Sequence, residues 1–301
     1  MKRRQFLQTF SAASLVLCGC GSEPVNSGSF QRPSHNDVSS PLIVSPQQAA
    51  SLNGLRLAAA STVESQPVPL LGGALKVDVD ALTTLTETSG ALLALTSLQN
   101  FWAALGVQRD QPVIVYDDGE MKFGARVRFL LGYCGVLQPV LVDGGAPGLA
   151  GLLPLQAGSA IPSAFQADAT SQPIALVFQQ EALRAIQNKS GAKLIDVRTP
   201  AEFNGQLLLP GDARPGHIPG AQNLPEGDFL EGPRLRTPPE VTSLFTMAGL
   251  SPDDNIVVYC HDGAKSSLIA TLLVENGFPA TSLYYLSYRD WSQNQNLPVE
   301  L

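Results

Sequence analysis

Apolar positions along the chain fall into short β-branched runs that alternate with stretches of helical spacing. Val113-Ile114-Val115-Tyr116 and Ile256-Val257-Val258-Tyr259 are tight apolar runs, the second bounded by Pro252-Asp253-Asp254, and both predict buried strands. Beyond the second, Leu268, Ile269, Leu272 and Leu273 recur at helical spacing until Asn276-Gly277 signals a stop. The second half of the chain predicts a strand over 194–197, a helix over 238–248 and a strand over 256–259. A helix over 266–275 and a strand over 283–286 follow. Near the start, Leu42-Ile43-Val44-Ser45 predicts a strand whose Ser45-Pro46 supplies an N-cap and first helical turn. Such alternation predicts an α/β class with a mainly parallel sheet, helices on both faces and function at the carboxyl ends of strands.

The pattern occurs twice. Val113–Asp117 matches Ile256–Cys260 at an offset of 143, and Gly106 matches Gly249 at the same offset. Gly135 matches Gly277 at 142, Gly54-Leu55-Arg56-Leu57 matches Gly191-Ala192-Lys193-Leu194 at 137, and Gly72-Gly73-Ala74 matches Pro219-Gly220-Ala221 at 147. The rise from 137 to 147 places about ten extra residues between Arg198 and Pro219. A period this long excludes a solenoid and predicts two domains, over 41–154 and 173–301, joined by an Ala/Ser/Pro/Gln-rich linker over 155–172.

The first forty residues read differently. Lys2-Arg3-Arg4-Gln5-Phe6-Leu7 resembles a twin-arginine export signal, and Leu17-Cys18-Gly19-Cys20 resembles a bacterial lipobox. Residues 1–20 are therefore expected to be a leader, with Cys20 as the lipidation point, and 21–40 a flexible spacer. The alternative is an ordinary signal peptide with an incidental cysteine. Either way the expectation is an exported protein of the periplasm or cell envelope, touching a membrane only through a lipid anchor.

Composition narrows the function classes. The chain is 44% hydrophobic and 15% charged, which suits packed cores. Its net charge of −7 becomes −10 without the three leader cations, which argues against nucleic acid or an anionic membrane surface as partner. Outside the leader only Cys134 and Cys260 remain, too few for a disulfide scaffold, and the absence of a Cys-x-x-Cys pair argues against structural zinc. Cys134 lies on an apolar helix and reads as structural; a 134–260 disulfide would consume the one plausible nucleophile.

That nucleophile is Cys260. It stands where a buried strand hands over to a helix, on the loop Cys260-His261-Asp262-Gly263-Ala264-Lys265-Ser266. Successive N–H groups and the helix start form a nest for negative charge, where a thiol can act as a nucleophile. A buried structural cysteine is the competing reading. A cysteine-type phosphatase needs arginine six residues after the nucleophile, and that position is Ser266.

With these pieces in place, the second half resembles a rhodanese domain, and residues 41–299 resemble the tandem-rhodanese sulfurtransferases. The likeness rests on Asp196-Val197-Arg198-Thr199-Pro200-Ala201-Glu202-Phe203, Gly216-His217-Ile218-Pro219-Gly220-Ala221 and Val258-Tyr259-Cys260 with its loop. Tyr288-Arg289-Asp290-Trp291 matches more loosely. Tyr116-Asp117-Asp118-Gly119 and Val142-Asp143-Gly144-Gly145 are similar to the inactive half of such proteins. The resemblance implies two tandem rhodanese-like domains. It implies sulfane sulfur carried as a persulfide on Cys260, from a donor such as thiosulfate to a thiol or cyanide, with no metal or organic cofactor. Asp117 at the cysteine position makes the first half silent, and Ala59 with Ser61 is expected to replace the Asp196–Arg198 pair. That pair reads first as a scaffold, and His217 as part of a turn. Long mercaptopyruvate and animal thiosulfate enzymes carry arginine where this chain has Glu202. Lys265 stands where many bacterial rhodaneses have arginine, and it is either an anion holder or a solvated lysine. His261 either sets loop charge or idles. The rival function is a tethered module that carries a persulfide, or binds a partner, without efficient turnover.

Overall fold

The computed structural model describes residues 41–169, 172–187 and 191–301. The expected leader, its Cys20 and the 21–40 spacer lie outside them.

Five strands build the first half: β1 (Ile43–Val44), β2 (Leu55–Ala60), β3 (Leu75–Asp78), β4 (Val113–Tyr116) and β5 (Pro139–Val142). The second half has β6 (Ala175–Val177), β7 (Lys193–Asp196), β8 (Gln222–Asn223), β11 (Ile256–Tyr259) and β12 (Thr281–Tyr284). Between them, β9 (Leu230–Glu231) and β10 (Arg234–Leu235) form a small antiparallel pair. The first sheet runs β1-β5-β4-β2-β3 and the second β6-β12-β11-β7-β8, all parallel. The two orders are the same order. The repeat is thus two copies of one α/β domain, as the alternation of elements predicts.

The ladders refine the alignment. Ala58 pairs with Tyr116, and Asp196 pairs with Tyr259. Since Tyr116 and Tyr259 correspond, Ala58 is the counterpart of Asp196 and Ala60 that of Arg198. The expected counterparts, Ala59 and Ser61, are each one residue late. A one-residue slip turns side chains to the other face of a sheet, and the packing agrees: Leu57 and Ala59 share a cluster with Ile195 and Val197. The two phenols even repeat a task. Tyr116 Oη accepts the Leu71 N–H at 2.8 Å, and Tyr259 Oη accepts the Ile218 N–H at 3.2 Å.

Observed boundaries follow the sequence closely except at the last strand, which ends at Tyr284, two residues before the expected end. The chain must turn there because Ser287 takes a left-handed conformation (φ 60°) at the start of the following helix. At the amino end Ser45 caps its helix as expected, in a reciprocal box with Gln48, with Pro46 in the first turn. The 155–169 stretch is strapped along the first half. Gly158 N–H bonds to Ala74 O at 2.9 Å, Ser163 N–H to Ala103 O at 2.9 Å and Asp168 N–H to Cys134 O at 2.9 Å.

The inner strands bury both faces, whereas the edge strand β3 alternates buried and exposed positions. One set of positions, including Leu57, Val115, Leu141, Ile195, Val258 and Leu283, joins a core shared by the two halves; the alternate positions feed one outer core per half. The helices Lys122–Tyr133 and Ala264–Glu275 meet in the shared core. Each fully buried Leu or Phe there contributes about 1.5–3 kcal/mol, so the first half supplies part of the packing behind the Cys260 loop.

Candidate active site

Cys260 follows β11 directly, and its loop leads into the Ala264–Glu275 helix. The residue is fully buried. Its Sγ accepts the Gly263 N–H at 3.1 Å and the Ser266 hydroxyl at 3.3 Å, with Ser287 Oγ 3.9 Å away. Gly263 caps the helix at φ 95°, and a Cβ there would meet Tyr285 O at 2.5 Å, so only glycine fits. The amide of Cys260 donates to Ser287 Oγ at 3.1 Å, and its carbonyl accepts the Tyr288 N–H at 3.0 Å. Both body cysteines are free thiols. Cys134 is buried in the shared core, where burial pushes its thiol up to about 12, which suits the structural reading.

The first half answers each feature. Asp117 fills the first nest: Oδ1 accepts Gly119 N–H at 3.0 Å and Met121 N–H at 3.1 Å, and Oδ2 accepts Gly124 N–H at 2.9 Å. Burial holds this carboxyl up at about 6 in spite of those donors. Gly124 and Gly145 are the counterparts of Ser266 and Ser287. A Cβ on Gly145 would meet Asp117 Oδ1 at 2.9 Å. Carboxylate with glycines, thiol with serines: each loop is built around its own group.

The other expected residues divide into those near the loop and those behind it. Asp196 and Arg198 form a buried pair, Nη2 to Oδ2 at 2.6 Å and Nε to both oxygens at 3.1 Å, with Arg198 Nη2 also reaching Gly216 O at 2.8 Å. The guanidinium lies 4.0 Å from the Tyr288 ring centre. This geometry suits the scaffold reading. His217 is likewise turned to the backbone and to Phe203. Nδ1 lies 2.9 Å from Phe203 O, the rings stack at 3.6 Å, and its amide donates to Glu300 O at 2.8 Å.

Lys265 has a partner: its Nζ stands 3.8 Å from Oε2 of the buried Glu202. That oxygen also accepts the Thr199 N–H and hydroxyl, at 3.0 and 2.5 Å. Ala264 donates its N–H to Asp262 Oδ1 at 3.3 Å. Asp262 turns to the first half, where Arg126 Nη2 reaches its Oδ2 at 2.7 Å and its carbonyl at 2.8 Å. The guanidinium beside it holds the Asp262 carboxyl down at about 2 against the cost of burial. His261 Nε2 lies 3.3 Å from Asp212 Oδ1.

Four residues here escape a reading of the sequence alone. Arg126 is one of two arginines in a largely apolar helical run, a signal easily set aside as a solvated position. Asp212 lies in the extra stretch between Arg198 and Pro219, whose length was visible but not its purpose. Ser287 sits one residue before the Tyr288–Trp291 match. Glu226 carries no motif; burial pushes it up to about 7, with Lys265 and Lys122 pulling down and Glu120 and Asp117 pushing further up.

Comparison with known proteins agrees with the fold. Residues 179–294 match the rhodanese-like domain family. The 3-mercaptopyruvate sulfurtransferase of Escherichia coli (strain K12) is 32% identical over 236 residues, 76% of this chain and 82% of that protein. A thiosulfate sulfurtransferase of Azotobacter vinelandii is 26% identical over 212 residues, 68% of this chain and 75% of that protein. The crystal structure of SseA from Escherichia coli, a 3-mercaptopyruvate sulfotransferase, superposes with a TM-score of 0.67 at 24% identity, covering 82% of this chain and 99% of that one. An ergothioneine complex of an EanB variant superposes at 0.72 with 17% identity, over 86% and 70%. The chain belongs to the tandem-domain rhodanese family, and its chemistry is sulfur transfer of the persulfide kind on a rhodanese fold.

Proposed function

We propose that this protein transfers sulfane sulfur through a persulfide on Cys260, from a donor such as thiosulfate to a thiol or cyanide. One observation carries the reading. Cys260 Sγ sits in a nest, receiving a backbone N–H and a serine hydroxyl, at the carboxyl end of a central strand. Those donors stabilise negative charge on the attacking sulfur and again on the leaving sulfur. In the first step the Cys260 thiolate attacks the outer sulfur of thiosulfate, a Cys260 S–S bond forms, and sulfite departs with the electron pair. In the second the acceptor attacks the same outer sulfur and Cys260 recovers its thiolate.

A second reading stands on a separate observation. The pairing of Lys265 with Glu202 at 3.8 Å spends part of the cationic field that a dianionic donor would use. That favours a module that holds a persulfide and turns over thiosulfate slowly. We further infer export and a lipid tether at Cys20 from the leader motifs. Intact mass after incubation with thiosulfate, with a thiosulfate-to-cyanide assay beside it, tests both readings. Turnover with one added sulfur, lost in Cys260→Ser, supports the enzyme; an adduct without turnover supports the carrier. Neither signal in the wild type sinks both. The same spectrum shows whether the mature chain begins at an acylated Cys20.

A further inference from the structure

The residue after Cys260 has a partner that no motif announces. His261 Nε2 and Asp212 Oδ1 lie 3.3 Å apart, an ion-pair distance without hydrogen-bond alignment, and both atoms are buried with no hydrogen-bond partner among the described residues. The Asp212 side chain is only 2% exposed and the imidazole 19%. A carboxylate taken this far out of water is costly unless something meets it.

Its placement is firm. Residues 211–214 are tied to the last helix and the tail behind it. Gln293 Nε2 donates to Gly211 O at 2.7 Å, and Ala213 N–H donates to Ser292 Oγ at 3.0 Å. Arg214 donates to the carbonyls of Ser292, Leu297 and Asn294 at 2.8–3.0 Å. The histidine is pinned from its own side, since its carbonyl accepts the Arg289 N–H at 3.0 Å. The stretch that carries Asp212 is the one the first half lacks, and at the place of His261 the first half has Asp118. Imidazole and carboxylate therefore occur together, and only beside the thiol.

We propose that Asp212 orients His261 as the base that takes the proton of a thiol acceptor during discharge of the persulfide. This rests on the persulfide reading above. As the acceptor sulfur bonds to the outer sulfur, the Cys260 S–S bond breaks and its electron pair returns to Cys260 Sγ. The acceptor's S–H proton passes to His261 Nδ1, because Nε2 is turned to Asp212. His261 is the proton acceptor and Asp212 the positioning residue. The charged and titratable groups around the pair are Asp262, backed by Arg126, on the loop side, and Arg198 with Tyr288 on the Asp212 side.

The test separates acceptors that bring a proton from those that do not. Full-length protein is loaded with thiosulfate and desalted. Loss of the sulfur adduct is then followed by intact mass with dithiothreitol or with a water-soluble tertiary phosphine, which carries no proton to lose. The ratio of thiol to phosphine discharge is expected to fall about a hundredfold in His261→Gln and at least tenfold in Asp212→Asn, the scale of general-base assistance. Only molecules that carry the adduct are counted, so a variant that loads poorly is still read. Loaded variants that keep the wild-type ratio overturn the relay and leave the persulfide intact. A wild type that takes up no sulfur overturns the persulfide reading, and the relay with it.

Discussion

The loops after β4 and β11 leave matching strand ends, differ by one residue in length and end with opposite contents. Both sit at the carboxyl end of the third strand of a five-stranded parallel sheet. Both lead through a left-handed residue, Met121 or Gly263, into a twelve-residue helix. In one, three N–H groups close on the Asp117 carboxylate; in the other, one N–H and one hydroxyl meet the Cys260 sulfur. The difference lies in the extra residue of the first loop and in the small residues. Gly124 and Gly145 leave room for a carboxylate, whereas Ser266 and Ser287 fill that room and offer hydroxyls. The first copy thus differs from the second by more than a missing cysteine. It is a nest packed around a carboxyl group, and its Arg126 holds the other loop through Asp262.

Exchange across the halves is the sharpest way to break this comparison. Cys260→Asp should lose sulfur transfer by about a thousandfold or more, the loss expected when a nucleophile is removed. It should also unfold more easily above pH 6, by about 3 kcal/mol in urea titrations, because Ser287 crowds the new carboxylate. Adding Ser266→Gly and Ser287→Gly should recover much of that stability and none of the activity. Equal stability of the single and triple variants would count against the glycine–serine argument.

Next in size is the contact between the halves. Arg126→Leu, which copies Leu268 of the second half, leaves Asp262 without its 2.7 Å partner. Removing one member of a buried pair costs about 3–5 kcal/mol; Asp262 keeps some solvent contact, so about 3 kcal/mol is expected from urea unfolding. Arg126→Leu combined with Asp262→Ser should cost less than the single change.

Glu226 feels both loops at once. Its carboxyl is held at about 7 against an ordinary 4.5, so the neutral form is the one the fold favours. Its contribution is complete below pH 4.5 and is lost as pH rises through 7, a change of about 3 kcal/mol. Glu226→Gln should therefore be the more stable protein at pH 8 by up to about that amount, with the gain gone near pH 4.5. Parallel urea titrations at the two values decide it.

The smallest effect concerns Ser287, held at φ 60° where its counterpart Gly145 has φ 53°. Ser287→Gly relieves a strained backbone but removes the acceptor of the Cys260 N–H, so stability should stay within about 1 kcal/mol. Sulfur transfer should fall about tenfold in the same variant. An unchanged rate would reduce Ser287 to a turn residue.

Much of this was legible in one dimension. Strand runs such as Val113–Tyr116 and Ile256–Tyr259, and glycines that close helices at Gly106 and Gly249, report local backbone demands, and a repeat makes each demand visible twice. The Asp196–Arg198 pair and the turn at His217 were readable because short-range motifs hold their partners close in sequence. The register error at Ala59 and Ser61 has a simple cause: small residues run from Ala58 to Ser61, and only the ladder to β4 says which of them faces which side.

By itself the sequence determined the α/β class, the two copies and the one loop that carries a thiol, because periodicity and turn chemistry are local. What the tertiary structure decided was which charges meet. Arg126 to Asp262 spans 136 residues, Asp212 to His261 brings an inserted stretch back to the loop, and Glu202 reaches Lys265 from another helix. Buried charges find partners through packing, and no spacing along the chain records a pairing that only two folded sheets bring about.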